Sequence, residues 1–139
     1  MSKKEKNRRD TRISRDSSTN IYVPSCIFNK RLSSYETIVK FLKEGYGFSI
    51  QKISDLLNKK KQSVWRAYRY ASLKFEESFE VTDFYFPIPI DIFKKTRLSL
   101  LESLVVFLKD HYGLSYSQVA ILLMRDQRTI WTIYKRAKK

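Results

Sequence analysis

SYSQVAILLMRDQRTIWTIYKRAKK, residues Ser115 to Lys139, is the stretch that decides the fold of this chain. It predicts two helices joined by a tight turn. Ser115 stands three residues before Gln118, so its hydroxyl can cap the first helix while the amide reaches back to the backbone. Val119, Ile121, Leu122 and Leu123 give that helix an apolar side. In the second helix Ile130, Trp131, Tyr134 and Ala137 fall at i, i+1, i+4 and i+7, which is one helical face and is expected to be buried. Asp126 is the expected cap of this helix, its carboxylate accepting backbone N–H groups. Arg128, Thr132, Lys135, Arg136 and Lys139 line the opposite face. A helix packed by one side and presenting Arg, Thr and Lys on the other suits a DNA major groove. An ordinary amphipathic helix with a solvated basic face has the same pattern.

Working outward, the same pattern occurs a second time upstream. At an offset of 66, Arg31-Leu32-Ser33 matches Arg97-Leu98-Ser99, Phe41-Leu42-Lys43 matches Phe107-Leu108-Lys109, and Tyr46-Gly47 matches Tyr112-Gly113. Trp65, Tyr68 and Ala71 match Trp131, Tyr134 and Ala137. In all, 16 of the 43 positions from 31 to 73 are identical, which marks a tandem duplication. Farther upstream the offset becomes 65, where Pro24 meets Pro89 and Ile27-Phe28 meets Ile92-Phe93. Each copy predicts three helices. The first opens on a capping box, Ser33 with Glu36 or Ser99 with Glu102, and ends at Gly47 or Gly113. The second spans about 49–57 or 115–123, and the third about 60–73 or 126–138. The Pro-containing segment before them predicts a hydrophobic arm across the core.

The expected fold is therefore all-α, with two tandem three-helix units at 21–74 and 88–139. Residues 75–87, FEESFEVTDFYFP, form an acidic aromatic linker with four acids and no bases. Its aromatics predict packing against one or both units, or a docking strip for a protein partner. Residues 1–20 hold seven bases, three acids and few apolar side chains, the composition of a disordered basic arm.

Across the 139 residues the net charge is +14, from 28 Lys and Arg against 14 Asp and Glu. A polyanion is the expected partner, nucleic acid ahead of an anionic membrane surface. Cys26 is the single cysteine and His111 the single histidine, so neither a disulfide framework nor a His/Cys metal site is expected. No signal peptide or membrane span is evident, and a cytoplasmic, nucleoid-associated protein follows. No cofactor is implied. The counterpart of His111 is Gly45, Glu36 and Glu102 serve as caps, and no glycine-rich phosphate loop exists, so an enzyme is not expected.

Both copies, from Ser49 to Ala71 and from Ser115 to Ala137, follow the run apolar-S-x-x-x-[I/V]-[A/S]-x-L-L-x-[R/K]-x-x-x-[S/T]-[I/V]-W-x-x-Y-x-x-A. Each resembles the helix-turn-helix of the promoter-reading fourth region of bacterial sigma factors and, more broadly, the homeodomain-like three-helix group. The resemblance places base-reading positions on Lys61, Gln62, Ser63 and Arg66, and on Gln127, Arg128, Thr129 and Thr132. Arg128 suits guanine O6 and N7, and Gln62 or Gln127 suits adenine. Phosphate contacts are expected from Lys59, Lys60, Arg69, Lys94, Lys95, Arg97, Lys135, Arg136, Lys138 and Lys139. Two departures stand out. The turn glycine of the family is replaced by Asn58 and by Met124, and the latter suggests a second turn of different geometry. The regions that bind polymerase core or melt promoters have no counterpart, so promoter opening is not implied.

The implied function is a sequence-specific regulator of transcription that binds double-stranded DNA, a monomer acting as a pseudo-dimer on a composite, non-palindromic site. A 13-residue linker spans at most roughly 43–47 Å, against about 34 Å between successive half-sites. The alternatives are a non-specific chromatin or nucleoid protein and an RNA binder. A Trp/Tyr platform for stacking single-stranded bases ranks below core packing, because those aromatics repeat at the spacing of a buried face.

Overall fold

The computed structural model describes residues 21–94 and 97–139; the basic arm at 1–20 and Lys95 lie outside them. Among the described residues the chain is mostly helical, with six α-helices in two sets of three. The first set is α1 (Ser34–Gly45), α2 (Ile50–Leu57) and α3 (Lys61–Lys74). The second is α4 (Leu100–Tyr112), α5 (Tyr116–Leu123) and α6 (Gln127–Ala137). No helix among the described residues is long and apolar enough to cross a membrane.

Local chemistry sets the helix boundaries. The capping boxes form as expected at Ser33 with Glu36, Ser99 with Glu102 and Ser115 with Gln118. Asp126 caps α6, its carboxylate accepting the Arg128 N–H at 3.1 Å. Gly113 closes α4 at φ +69°, whereas α1 stops two residues before Gly47, which takes φ +74°. The two turns between second and third helices share one left-handed geometry. Asn58 adopts φ 55°, ψ 49° and Met124 φ 53°, ψ 49°, so the expected difference at Met124 is absent. The Met124 side chain is exposed; the turn is closed by backbone bonds, Arg125 N–H to Ala120 C=O at 3.0 Å and Met124 N–H to Ile121 C=O at 3.3 Å, at a conformation that costs a methionine about 1–2 kcal/mol.

The arms fold differently from a simple cover over their own helices. Each begins as a short strand, β1 (Tyr22–Val23) and β2 (Ile88–Pro89), followed by a 3₁₀ turn at Ser25–Ile27 or Ile90–Phe93. The fixed φ of Pro24 and Pro89, near −70°, sets the extended residue before each turn. The strands pair antiparallel, Tyr22 with Pro89 and Val23 with Ile88, and Ile90 N–H adds a bond to Ile21 C=O at 2.9 Å. The turn of the first arm then packs on α5, and that of the second packs on α2 as well as on α4. Phe93 thereby lies beside Leu57 and Asn58 of the other half. With α1 against α4, both halves share one continuous apolar core, built from residues such as Val23, Ile38, Leu57, Ile90, Leu104 and Ile130. Each fully buried aliphatic or aromatic side chain contributes about 1.5–3 kcal/mol relative to exposure, so the exchanged arms weld the halves.

Two further groups fix this join. Arg125 donates from Nη1 to Asn29 C=O at 3.0 Å and from Nη2 to Leu32 C=O at 2.9 Å, tying the second turn to the first half. The connecting segment is seated as well. Tyr85 C=O accepts from Ser25 Oγ at 2.7 Å, Pro87 C=O accepts from Tyr112 Oη at 2.6 Å, and Phe79 and Val81 pack on the core. The linker therefore packs as its aromatics predict, and its extended reach has no bearing on how the halves are spaced.

Candidate nucleic-acid interface

The third helices carry the exposed groups that the sequence singles out, but their buried stripe is not the expected one. Trp65 and Trp131, expected in the core, stand 52% and 48% exposed. The buried positions are Val64, Ala67 and Ala71 in α3, and Ile130 and Ile133 in α6. Val64 and Trp65 are adjacent and so about 100° apart on the helix. With Val64, Ala67 and Ala71 facing inward, the indole rotates to the edge. Tyr68 and Tyr134 are half-buried and act as braces. Tyr68 Oη donates to Glu44 at 3.0 Å, and Tyr134 Oη to Asp110 at 2.7 Å.

The outward face now reads Gln62, Trp65, Arg66 and Arg69 on α3, spaced i, i+3, i+4 and i+7. On α6 the same face carries Arg128, Trp131, Thr132 and Lys135. All eight are exposed. In each copy the basic group one turn beyond the Trp lies over the indole, Arg69 at 5.5 Å and Lys135 at 5.6 Å from the ring centroid. In each copy the Trp also walls a surface groove at the start of the helix. One groove, about 470 Å³, is lined by Ile50, Lys61, Gln62, Trp65 and Arg66. The other, about 610 Å³, is lined by Asp126, Gln127, Arg128 and Trp131. Duplication has thus preserved an indole-walled notch while exchanging its polar side chains.

Seven of the eight base-reading candidates, Lys61, Gln62, Arg66, Gln127, Arg128, Thr129 and Thr132, are exposed on or beside these notches. Ser63 is not available. Its hydroxyl is bonded to Tyr35 Oη at 2.8 Å and ties α3 to α1, a contact that Leu101 cannot make in the second copy. Among the phosphate candidates, Lys59, Lys60, Arg69, Lys94, Arg97, Lys135 and Lys139 are exposed. Arg136 and Lys138 are partly neutralised, Arg136 Nε by Glu102 at 3.3 Å and Lys138 Nζ by Asp110 at 2.8 Å. These two brace α6 against α4, as Lys74 with Glu36 at 2.9 Å braces α3 against α1. The Lys138 ammonium and Tyr134 hydroxyl hold the Asp110 carboxyl below its ordinary range. The Ser99 backbone N–H, aided by Arg136, does the same for Glu102.

The sequence reading missed three residues. Trp65 and Trp131 belong to the exposed face; the variation of Ala67 to Ile133, both apolar, is the signal that those positions face inward. Arg125 occupies the [R/K] position of the motif but points its fork at main-chain carbonyls of the other half. No protein-family model, curated protein or solved structure matches this chain.

Proposed function

We propose that the protein binds double-stranded DNA as a tandem helix-turn-helix protein, inserting the exposed faces of α3 and α6 into major grooves. The observation that carries this reading is the repeated outward face of polar, indole, polar and basic side chains on both third helices, in a chain of net charge +14. In this reading Arg128 makes a bidentate contact to guanine, and Gln62 or Gln127 one to adenine, each worth roughly 1–3 kcal/mol of discrimination. The indole beside each of them offers an apolar surface to a thymine methyl or a sugar edge. Lys59, Lys60, Arg69 and Lys135 then hold phosphates. If six to ten phosphates are engaged, affinity falls by about 10³–10⁵ between 50 and 200 mM salt. Because the polar identities differ between copies, the site is composite and non-palindromic. A sequence-specific, nucleoid-associated regulator of transcription, acting as a one-chain pseudo-dimer, fits these features. In this reading the half-site spacing is set by the shared core.

The exposure of Trp65 and Trp131 favours a second reading, in which the indoles stack single-stranded bases of DNA or RNA beside Arg69 and Lys135. Selection of bound sequences from a random duplex pool, with single-stranded DNA and structured RNA as competitors, separates the two. Duplex reading predicts a consensus that Arg66→Ala and Arg128→Ala relax at different positions. Absence of any consensus, together with stronger single-strand or RNA binding that Trp65→Ala and Trp131→Ala abolish, overturns duplex reading.

A further inference from the structure

The two halves differ at one surface. In the first half, the face of α1 that carries Lys40 is roofed by the start of the connecting segment. Phe75 and Phe79 stack on each other at 5.5 Å, and their ring centroids lie 6.0 and 5.5 Å from Lys40 Nζ. Lys40 is fully buried beneath them, its ammonium paired with Glu44 at 2.6 Å. Arg31 closes the roof, its guanidinium 5.2 Å from the Phe75 ring while Nη2 donates to Lys74 C=O at 2.7 Å.

In the second half no described residue roofs the same face. Lys40 becomes Val106, Glu44 becomes Asp110 and Arg31 becomes Arg97. A groove of about 430 Å³ runs there, lined by Ile92, Leu98, Ser103, Val106 and Phe107, with His111 and the Lys138-paired Asp110 at its far end. Ile92, Leu98 and Val106 are part-exposed, whereas their counterparts Ile27, Leu32 and Lys40 are buried. The uncovered face is also more apolar than the covered one, since a valine replaces the lysine. Ser103 adds an unmet polar need. It is 6% exposed and its hydroxyl has no hydrogen-bond partner among the described residues, whereas the equivalent Thr37 Oγ1 donates to Ser33 C=O at 2.8 Å.

We infer that this groove is a docking site for a partner protein's acidic segment bearing two aromatic residues four apart, the chemistry of Phe75-Glu76-Glu77-Ser78-Phe79. The occupant of the equivalent face in the first half is the template. Paired rings cover Val106 and Phe107, Arg97 lies over the leading ring as Arg31 does over Phe75, and the acids meet the exposed Lys94 and Arg97. The recognition is helix-face docking through spaced aromatic anchors, independent of the DNA-reading faces.

The test titrates a synthetic peptide of residues 74–83, KFEESFEVTD, into the full chain by calorimetry, with sedimentation of the chain alone. Saturable one-to-one binding is expected, lost at least tenfold on Val106→Asp and on replacing both peptide phenylalanines with alanine. Arg97→Glu should weaken it several-fold and, lying on an exposed loop, decides the matter should Val106→Asp fail to fold. No saturable binding, binding indifferent to Val106→Asp and Arg97→Glu, or equal binding of the alanine peptide overturns the assignment. A concentration-dependent dimer without peptide, dissociated by Val106→Asp or Arg97→Glu, overturns it in favour of a second copy of the chain.

Discussion

The starts of the two third helices make a controlled experiment in capping. Lys60 and Asp126 occupy equivalent cap positions with nearly the same backbone, φ −69° and ψ 145° against φ −66° and ψ 139°. Only Asp126 makes a side-chain cap bond. Lys60→Asp therefore needs no backbone adjustment to accept the Gln62 N–H. The cap contributes about 1 kcal/mol, and exchanging a cation for an anion at a helix N-terminus adds about 0.3–1 kcal/mol. Relief of repulsion within Lys59-Lys60-Lys61 acts in the same direction. A gain of about 1–2 kcal/mol corresponds to a rise in Tm of roughly 3–6 °C for a chain of this size. Lys60→Asn separates the terms, since it caps without the charge and should give about half the gain. Calorimetry at pH 7 measures stability, and salt-dependent DNA binding tests whether Lys60 belongs to the proposed interface. Loss of one phosphate contact lowers the salt slope by about 1. An unchanged or lower Tm for both variants would refute the capping argument. A higher Tm with unchanged DNA affinity would remove Lys60 from the interface.

Arg125→Ala and Arg125→Lys should both destabilise the whole chain by about 2–3 kcal/mol, because a lysine cannot supply the forked donors that reach Asn29 and Leu32. Denaturant unfolding should remain a single transition in both; separate melting of the two halves would contradict a shared core. Asn58→Val should cost about 1–2 kcal/mol at the left-handed turn, whereas Met124→Asn, which copies the first turn, should hold or raise stability. Because the folded-state pKa values of Asp110 and Glu102 are depressed, their contribution is present above the ordinary carboxylate range. It is lost as pH falls below about 4 through the lowered folded values. Asp110→Asn should flatten that acid limb in thermal melts from pH 7 to pH 2, and an unaltered limb would exclude Asp110 as a contributor.

The helices were legible because their signals are local. Ser33 with Glu36 and Ser99 with Glu102 set two helix starts within four residues, and the duplication shows each start twice. The indoles were misplaced for a physical reason: hydrophobicity argues for burial, yet at 100° per residue Val64 and Trp65 cannot share the centre of one face. Ala67 decides the rotation and is too small to announce itself. The arms show the limit of sequence pattern. Pro24-Ser25-Cys26-Ile27-Phe28 says that something apolar is covered, but the identity of the covered surface is a long-range property that no local spacing encodes. Arg125 illustrates the same limit, since nothing in its local spacing points to the main-chain carbonyls of the other half that it bonds.

The reciprocal arms bear on how the chain is made. During synthesis α1, α2 and α3 emerge first, but the residues that cover α2 are Ile90 to Phe93, which leave the ribosome later. The leading half thus waits, with apolar surface open, for its twin to supply the missing piece. Domains that fold as independent units are released one at a time; this pair has to mature together. Excising either half at residue 74 or 88 would leave two incomplete interiors instead of two self-sufficient folds.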